Sequence, residues 1–142
     1  MSDCVFCKIR DGQIPSMRID EDERTLTFMD INPLSPGHCL VVTKRHTPTL
    51  FEADVEDLEA AAATARRVAL AIRAALEPDG LNLLQANGAA AFQSVPHFHL
   101  HLIPRWANDG KGFDWTPVPG DREAIMKTGE RLRAALAWAI WP

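Results

Sequence analysis

The sequence predicts an α+β fold, with short strands forming an antiparallel sheet around one long helix. Three observations carry this expectation. Residues 97–103 alternate His, Phe, His, Leu, His, Leu, Ile, the two-residue period of a strand with one polar and one apolar face. Leu58, Ala62, Ala65, Ala69, Ile72 and Leu76 recur at steps of three and four, the period of one helix face. The remaining β-prone segments cluster before and after that helix, without the strand–helix alternation of a parallel sheet.

Taken in order, Arg18-Ile19-Asp20 and Thr25–Met29 predict two short strands about an acidic turn at 20–24. Ile31–Gly37 holds two prolines and a glycine and reads as a loop. His38–Lys44 is β-prone through Val41, Val42 and Thr43. Asp54 suits the N-cap of the long helix, and Glu56, Asp57 and Glu59 suit its positive end. Pro78 and Gly80 end it. Leu81–Leu84 predicts a strand, and 87–94 a loop in which Ala89–Phe92 can form a turn of helix. After the alternating strand, 110–120 reads as loop and 121–138 as a final helix. That helix has Ile125, Leu132, Leu136 and Ala139 on one face, with Gly129 weakening its middle.

The length, 142 residues, suits one domain with a buried core, and 46% hydrophobic with 24% charged residues argues against disorder. A net charge of −4 excludes a broad basic surface for nucleic acid. No run of about 18 apolar residues suggests a membrane span; the most apolar long segment, 58–76, carries Arg66, Arg67 and Arg73. Met1-Ser2-Asp3-Cys4 lacks the basic and apolar regions of a secretory leader, so a cytoplasmic protein is expected. Three cysteines, an odd number, argue against a disulfide framework. Cys4 and Cys7 form a Cys-x-x-Cys pair suited to metal or redox chemistry, whereas Cys39 lies in an apolar run and reads as packing.

On the alternating strand His97, His99 and His101 share one face, and Phe98, Leu100 and Leu102 the other. The apolar side would pack on the helices and the imidazoles line a cleft. Neighbouring imidazoles lie roughly 7 Å apart along the strand and the outer two roughly 13 Å. One metal ion therefore holds two neighbouring imidazoles more readily than all three, and the spacing favours another purpose for at least one of them. A three-histidine metal site is the competing interpretation.

His-x-His-x-His followed by two apolar residues resembles the signature of the histidine triad (HIT) superfamily. The resemblance extends in order through Cys4–Ile9, Ile14-Pro15, Phe28–Pro33, Gly37–Val42, Lys44-Arg45-His46, Asn87-Gly88 and Gln93-Ser94. It spans about residues 4–105 and is similar to the small zinc-containing prokaryotic nucleotide hydrolases related to the Hint proteins. It implies a single HIT domain over 1–142, with a core at about 4–105 and a C-terminal extension at about 106–142. The fold implied is a roughly five-stranded antiparallel sheet with one long central helix and a C-terminal helix.

The resemblance also implies roles. Cys4, Cys7, His46 and His97 would hold a structural zinc, two thiolates balancing its charge. His99 would be the nucleophile, attacking the α-phosphorus of a purine nucleotide to form a nucleotidyl-histidine that water then cleaves. His101 would donate to the phosphate, His38 would orient or charge the site, and Gln93 and Ser94 would contact the phosphate and leaving group. Asn87 would touch phosphate or ribose, and Asp30 both ribose hydroxyls. Phe6, Ile9, Phe28 and Ile31 would sandwich the base, although by themselves these four read as core. Substrates implied are nucleoside phosphoramidates or dinucleoside polyphosphates; the alternative is a nucleotide-binding or scaffold protein with vestigial catalysis. A homodimer is implied as well. Three features depart from the family pattern: Phe92 where many relatives have glycine, Pro96 before His97, and a tail holding Trp106, Trp115, Trp138 and Trp141. The tryptophans read as dimer or helix packing.

Overall fold

The structure, a computed structural model, describes residues 3–113 and 115–138; Ala139 and Trp141, assigned above to the last helix face and the tryptophan-rich tail, lie outside them. The elements are α1 (Val5–Arg10), β1 (Arg18–Glu21), β2 (Thr25–Met29), β3 (Cys39–Thr43), α2 (Val55–Leu76), β4 (Gly80–Leu84), a 3-10 turn at Ala89–Ala91, β5 (His99–Arg105) and α3 (Arg122–Trp138). The five strands form one antiparallel sheet in the order β1-β2-β3-β5-β4. The α+β class and the five-stranded antiparallel sheet expected from sequence are present.

Strand alternation divides the core in two. On one face Cys39 and Val41 of β3 and Leu102 of β5 pack with Phe98 against Ala61, Ala65, Val68 and Ile72 of α2. On the other, Leu26, Phe28, Leu40 and Val42 pack with Phe6 and Ile9 of α1. Register carries this second face across the sheet: Phe28 opposes Leu40, which opposes His101, and Leu26 opposes Val42, which opposes His99. The two imidazoles thus continue two apolar cross-strand rows.

Several local expectations shift. Helix α1 was not foreseen. It has only six residues and no readable period, and it is started by the Cys4 thiol accepting from the Cys7 amide at 3.4 Å while Phe6, Cys7 and Ile9 are buried. The buried stripe of α2 is Asp57, Ala61, Thr64, Ala65, Val68 and Ile72. The expected face is therefore rotated, with Ala62 and Leu76 exposed and Leu58 and Ala69 half-buried at its margin. Thr64 explains the rotation: its hydroxyl meets that of Thr25 at 2.8 Å, so a polar pair sits where the sheet approaches the helix. Asp54 holds the N-cap position in extended conformation, but its carboxylate pairs with Arg45 rather than capping. Glu77, in the left-handed region just before Pro78, ends the helix.

The alternating strand also begins later than expected. His97 lies before β5: its amide bonds Val95 at 2.8 Å, and the Phe98 amide bonds Thr47 at 2.8 Å. The strand runs on through Pro104, which is tolerated because its backbone faces the side where β3 has ended, leaving the Pro104 carbonyl to accept the Ser35 hydroxyl at 2.6 Å.

The chain divides into two compact units, about residues 1–110 and 111–142. The second consists of a loop and α3, whose start is capped by the Asp121 carboxylate accepting from the Ala124 amide at 3.0 Å. Within that unit Ile125, Leu132, Leu136, Trp115 and Trp138 are exposed.

Candidate active site and metal centre

Cys4 and Cys7 on α1, His46 beyond β3 and His97 before β5 converge, with their ligand atoms all within 4.8 Å of one another. The Cys4 thiol lies 3.3 Å and the Cys7 thiol 3.6 Å from His97 Nδ1. His46 Nδ1 lies 3.4 Å from the Cys7 thiol and 3.1 Å from His97 Nδ1. A tetrahedral zinc ion would set such edges at about 3.5 Å between sulfur and nitrogen and about 3.3 Å between nitrogens. The proton positions also suit a metal. His97 Nε2 lies 2.6 Å from the Thr43 carbonyl and must donate to it, which leaves Nδ1 as a lone pair aimed at the thiols. The donor set therefore fits a dication, and His46 alone among the four is exposed.

The reacting side chains stand beside this cluster. His99 Nδ1 lies 2.7 Å from the His97 carbonyl, so it carries the proton and Nε2 is left as a lone pair. The Phe6 ring meets the His99 ring edge-on, with centroids 4.9 Å apart. His38 is held from the other end of the site. Its Nδ1 accepts the Leu34 amide at 2.9 Å, so Nε2 carries the proton and points at His101 Nδ1, 3.0 Å away. His101 consequently keeps its own proton on Nε2. Three hydrogen bonds thus assign one basic nitrogen, on His99, beside one available donor, on His101.

Burial keeps these rings neutral. It pushes His99 below the ordinary histidine value, against a contribution from the His97 carbonyl. It pushes His101 to about 4, helped by the nearby His99 and His38 and opposed by Asp30. His38 is likewise lowered by burial, with Asp30 opposing. Asp30 and His38 flank a loop closed on itself: the Asp30 amide bonds the His38 carbonyl, and the His38 amide the Ser35 carbonyl, each at 3.1 Å. This brings Asp30 Oδ2 within 3.4 Å of His38 Nε2. Asp30, His38 and His101 also form a close three-ligand group, but a metal there would compete with the proton that His38 Nε2 carries while its Nδ1 accepts the Leu34 amide.

A cavity of about 280 Å³ opens at His99 and His101, near the lower size of ordinary small-ligand pockets. Phe6, Ile9 and Phe28 line its apolar part, with Asp30 and Ser94 along its polar part and the 89% exposed Ile31 as an outer wall. A second cavity, of about 440 Å³ and bordered by Asp3, His46, Pro48 and Pro96, shares Val5, Ser94 and Val95 with the first. Asn87 and Gln93 line neither cavity. Asn87 accepts from the Leu50 amide at 2.7 Å and exchanges bonds with Gln85. Gln93 donates to the Pro48 and Val95 carbonyls and accepts from the Gly88 amide, clamping the loop that ends at Ser94. Phe92, in the left-handed region, is 92% exposed.

Sequence reasoning missed the Thr43 carbonyl and the Leu34 amide, which orient His97 and His38. Backbone groups are identical at every residue, so no side-chain pattern marks them. It also missed Ser16, Leu40 and Val95 in the cavity wall; of these Leu40 was accessible through its place opposite Phe28 in the sheet.

Comparison with known proteins gives a consistent picture. The family model described as HIT domain matches residues 11–108. A HIT-family protein from Bacillus subtilis superposes with a TM-score of 0.89 at 38% identity, covering 97% of this chain and all of that one. A Zn-bound histidine triad family protein from Mycobacterium smegmatis gives 0.75 at 44% identity, covering 95% of this chain and 94% of its own. An adenosine 5'-monophosphoramidase of Schizosaccharomyces pombe is 36% identical over 134 residues, 94% of this chain and 98% of its own.

Proposed function

The chain belongs to the HIT family, and on that premise we propose that it is a hydrolase of purine nucleoside phosphoramidates acting through His99. The observation that carries the proposal is the proton assignment: a buried neutral imidazole with Nδ1–H locked to the His97 carbonyl and a lone pair on Nε2. In the proposed reaction Nε2 attacks the α-phosphorus as the bond from phosphorus to the amine breaks. His101 Nε2–H is the donor placed to hydrogen-bond the phosphoryl oxygens, and the departing amine takes its proton from solvent. Water then attacks phosphorus, the bond to His99 breaks, the nucleoside monophosphate leaves, and the proton that water gives up returns to solvent. Asp30 would hold the ribose, and Phe6, Ile9, Phe28 and Ile31 the base.

The leaving group would enter the second cavity past Ser94. No Lys or Arg lines either cavity among the described residues. A leaving amine needs no cation there, whereas the polyphosphate of a dinucleoside would want several. This supports the phosphoramidate over the polyphosphate. Asn87 and Gln93 would act by shaping the loop before His97.

Cys4, Cys7, His46 and His97 would hold a structural zinc, which supplies cross-linking rather than chemistry and ties α1 to the residue whose carbonyl orients His99. A reducing cytoplasm would suit its thiols; no helix among the described residues is long and apolar enough to cross a membrane. A homodimer would pair through the edge strand β4, where Leu81, Leu83 and Leu84 are exposed. Leu83→Lys should then shift a dimer to monomer in light scattering.

Rapid quench of the protein mixed with adenosine phosphoramidate, followed by intact-mass analysis, tests the reaction. A nucleotidyl adduct is expected on the wild type and not on His99→Ala. Normal turnover by His99→Ala would overturn the proposal, and nucleotide binding without adduct or turnover would favour the vestigial binding module.

A further inference from the structure

Among the described residues two buried side-chain hydroxyls have no hydrogen-bond partner, those of Ser16 and Thr27. Thr27 is fully buried in β2 and lines none of the cavities described above. Ser16 differs: it lies in the loop between α1 and β1 and forms part of the wall of the 280 Å³ cavity. Its neighbours on that loop, Ile14 and Pro15, line the same cavity, and Ile14 packs against the cluster that contains Phe6, Ile9 and Phe28. The apolar part of the cavity therefore has a hydroxyl in its wall that the fold itself does not satisfy. Native interiors rarely leave such a group alone. Of the other polar groups that line this cavity, His99 and His101 stand at the reacting end, Asp30 is turned toward His38 and the Asn32 amide, and Asn32 and Ser94 complete the polar lining.

We propose that Ser16 is the base-reading residue of this site, its hydroxyl donating to N7 of a bound purine. This rests on the nucleotide reading above and adds the base to it. The residue is half-buried and lines the cavity, and its hydroxyl turns about a single bond between staggered positions. N7 suits this role because adenine and guanine both present it away from the sugar, whereas N3, the other acceptor they share, lies beside the sugar on N9, and their six-positions carry a donor in one and an acceptor in the other. Pyrimidines have no such atom. The apolar walls bind any flat base; the Ser16 hydroxyl separates purine from pyrimidine and leaves adenine and guanine alike.

Calorimetric titration of the full chain with AMP, CMP and 7-deaza-AMP, for the wild type and Ser16→Ala, tests this. The wild type is expected to bind AMP about fivefold more tightly than 7-deaza-AMP, the effect of one hydrogen bond. Ser16→Ala should lose that factor for AMP while its affinity for CMP and 7-deaza-AMP stays unchanged. Equal wild-type affinity for AMP and 7-deaza-AMP overturns the inference without any variant, as does an equal loss for AMP and CMP in Ser16→Ala. The expected binding pattern without turnover of any phosphoramidate would leave the base reader standing and defeat the hydrolase. Wild-type binding of AMP no tighter than CMP defeats the base reader whatever the turnover.

Discussion

At the scale of single residues, hydrogen-bond direction does most of the work. Each of His97, His99 and His38 has one ring nitrogen claimed by a backbone group, and that claim dictates what the other nitrogen can do. The electrostatic consequence is measurable. Burial, reinforced by His99 and His38, lowers His101 to about 4, so His101 stays neutral as pH falls through the ordinary histidine value of about 6.5. With a substrate that does not titrate, and with His99 also lowered by burial, the acid limb of kcat is expected to lie below the ordinary histidine value; an acid limb centred at 6.5 would contradict it. A second residue-scale expectation concerns Thr27, whose buried hydroxyl has no partner. Thr27→Val keeps the shape and removes an unsatisfied polar group. It should raise stability by about 1 kcal/mol in urea titration, whereas a loss would mean that the hydroxyl is satisfied in solution.

At the scale of elements, turns and loops place the site residues. The turn between β1 and β2 is organised by Asp22, which accepts the Arg24 amide at 2.9 Å, the Thr25 amide at 2.8 Å and the Thr25 hydroxyl at 3.0 Å, and pairs with Arg67. Burial works to raise this carboxyl, but the hydrogen bonds outweigh it and hold Asp22 at about 2. A depressed carboxyl stabilises the fold above its unfolded value, near 4, and loses that contribution as pH falls toward 2. Asp22→Asn should therefore lower Tm at pH 7 and flatten its dependence between pH 4 and pH 2. The loop before β3 depends on Gly37, whose φ is +89° and whose missing Cβ would sit 2.5 Å from Leu76 Cδ1. Gly37→Ala should cost roughly 2 kcal/mol and reduce kcat by displacing the adjacent His38. Unchanged stability would show that α2 gives way.

Element positions were readable where a period is long and clean. The core strands and both long helices were visible because alternation or a three-and-four repeat runs through them. The short α1 was not, since six residues hardly complete a helical period, and its start depends on a cysteine thiol acting as cap. The face of α2 was rotated because alanines dominate the helix, and a methyl group on nearly every side leaves the apolar stripe poorly defined. The Thr25–Thr64 pair and the buried Asp57, paired with Arg24, mark the true face.

At the scale of the molecule, one cluster joins segments far apart in sequence. Cys4 and Cys7 enter from the N-cap and first turn of α1, His46 from the segment after β3 and His97 from the segment before β5. If this cluster holds zinc, chelation should lower Tm by about 7 °C, the counterpart of roughly 2 kcal/mol in a domain of this size. It should also reduce kcat, because His97 also supplies the carbonyl that orients His99. Restored Tm and kcat on readdition of Zn²⁺ would complete the test; an unchanged melt would remove the structural metal.

By itself the sequence determined the fold class, the imidazole face, the family and the pairing of two cysteines with two histidines. The fold class and the imidazole face follow from periodicity and residue chemistry, whereas the family and the grouping of cysteines with histidines follow from resemblance to the motifs of a known family. Only the tertiary structure decided which nitrogen of each histidine holds the proton, that Asn87 and Gln93 bind the loop rather than face the cavities, and that Ser16 stands unsatisfied in the cavity wall. The proton positions depend on the Thr43 and His97 carbonyls and the Leu34 amide, and the roles of Asn87 and Gln93 on the Leu50 and Gly88 amides and the Pro48 and Val95 carbonyls. A backbone group carries the same chemistry in every residue, so its direction exists only once the chain has folded around it.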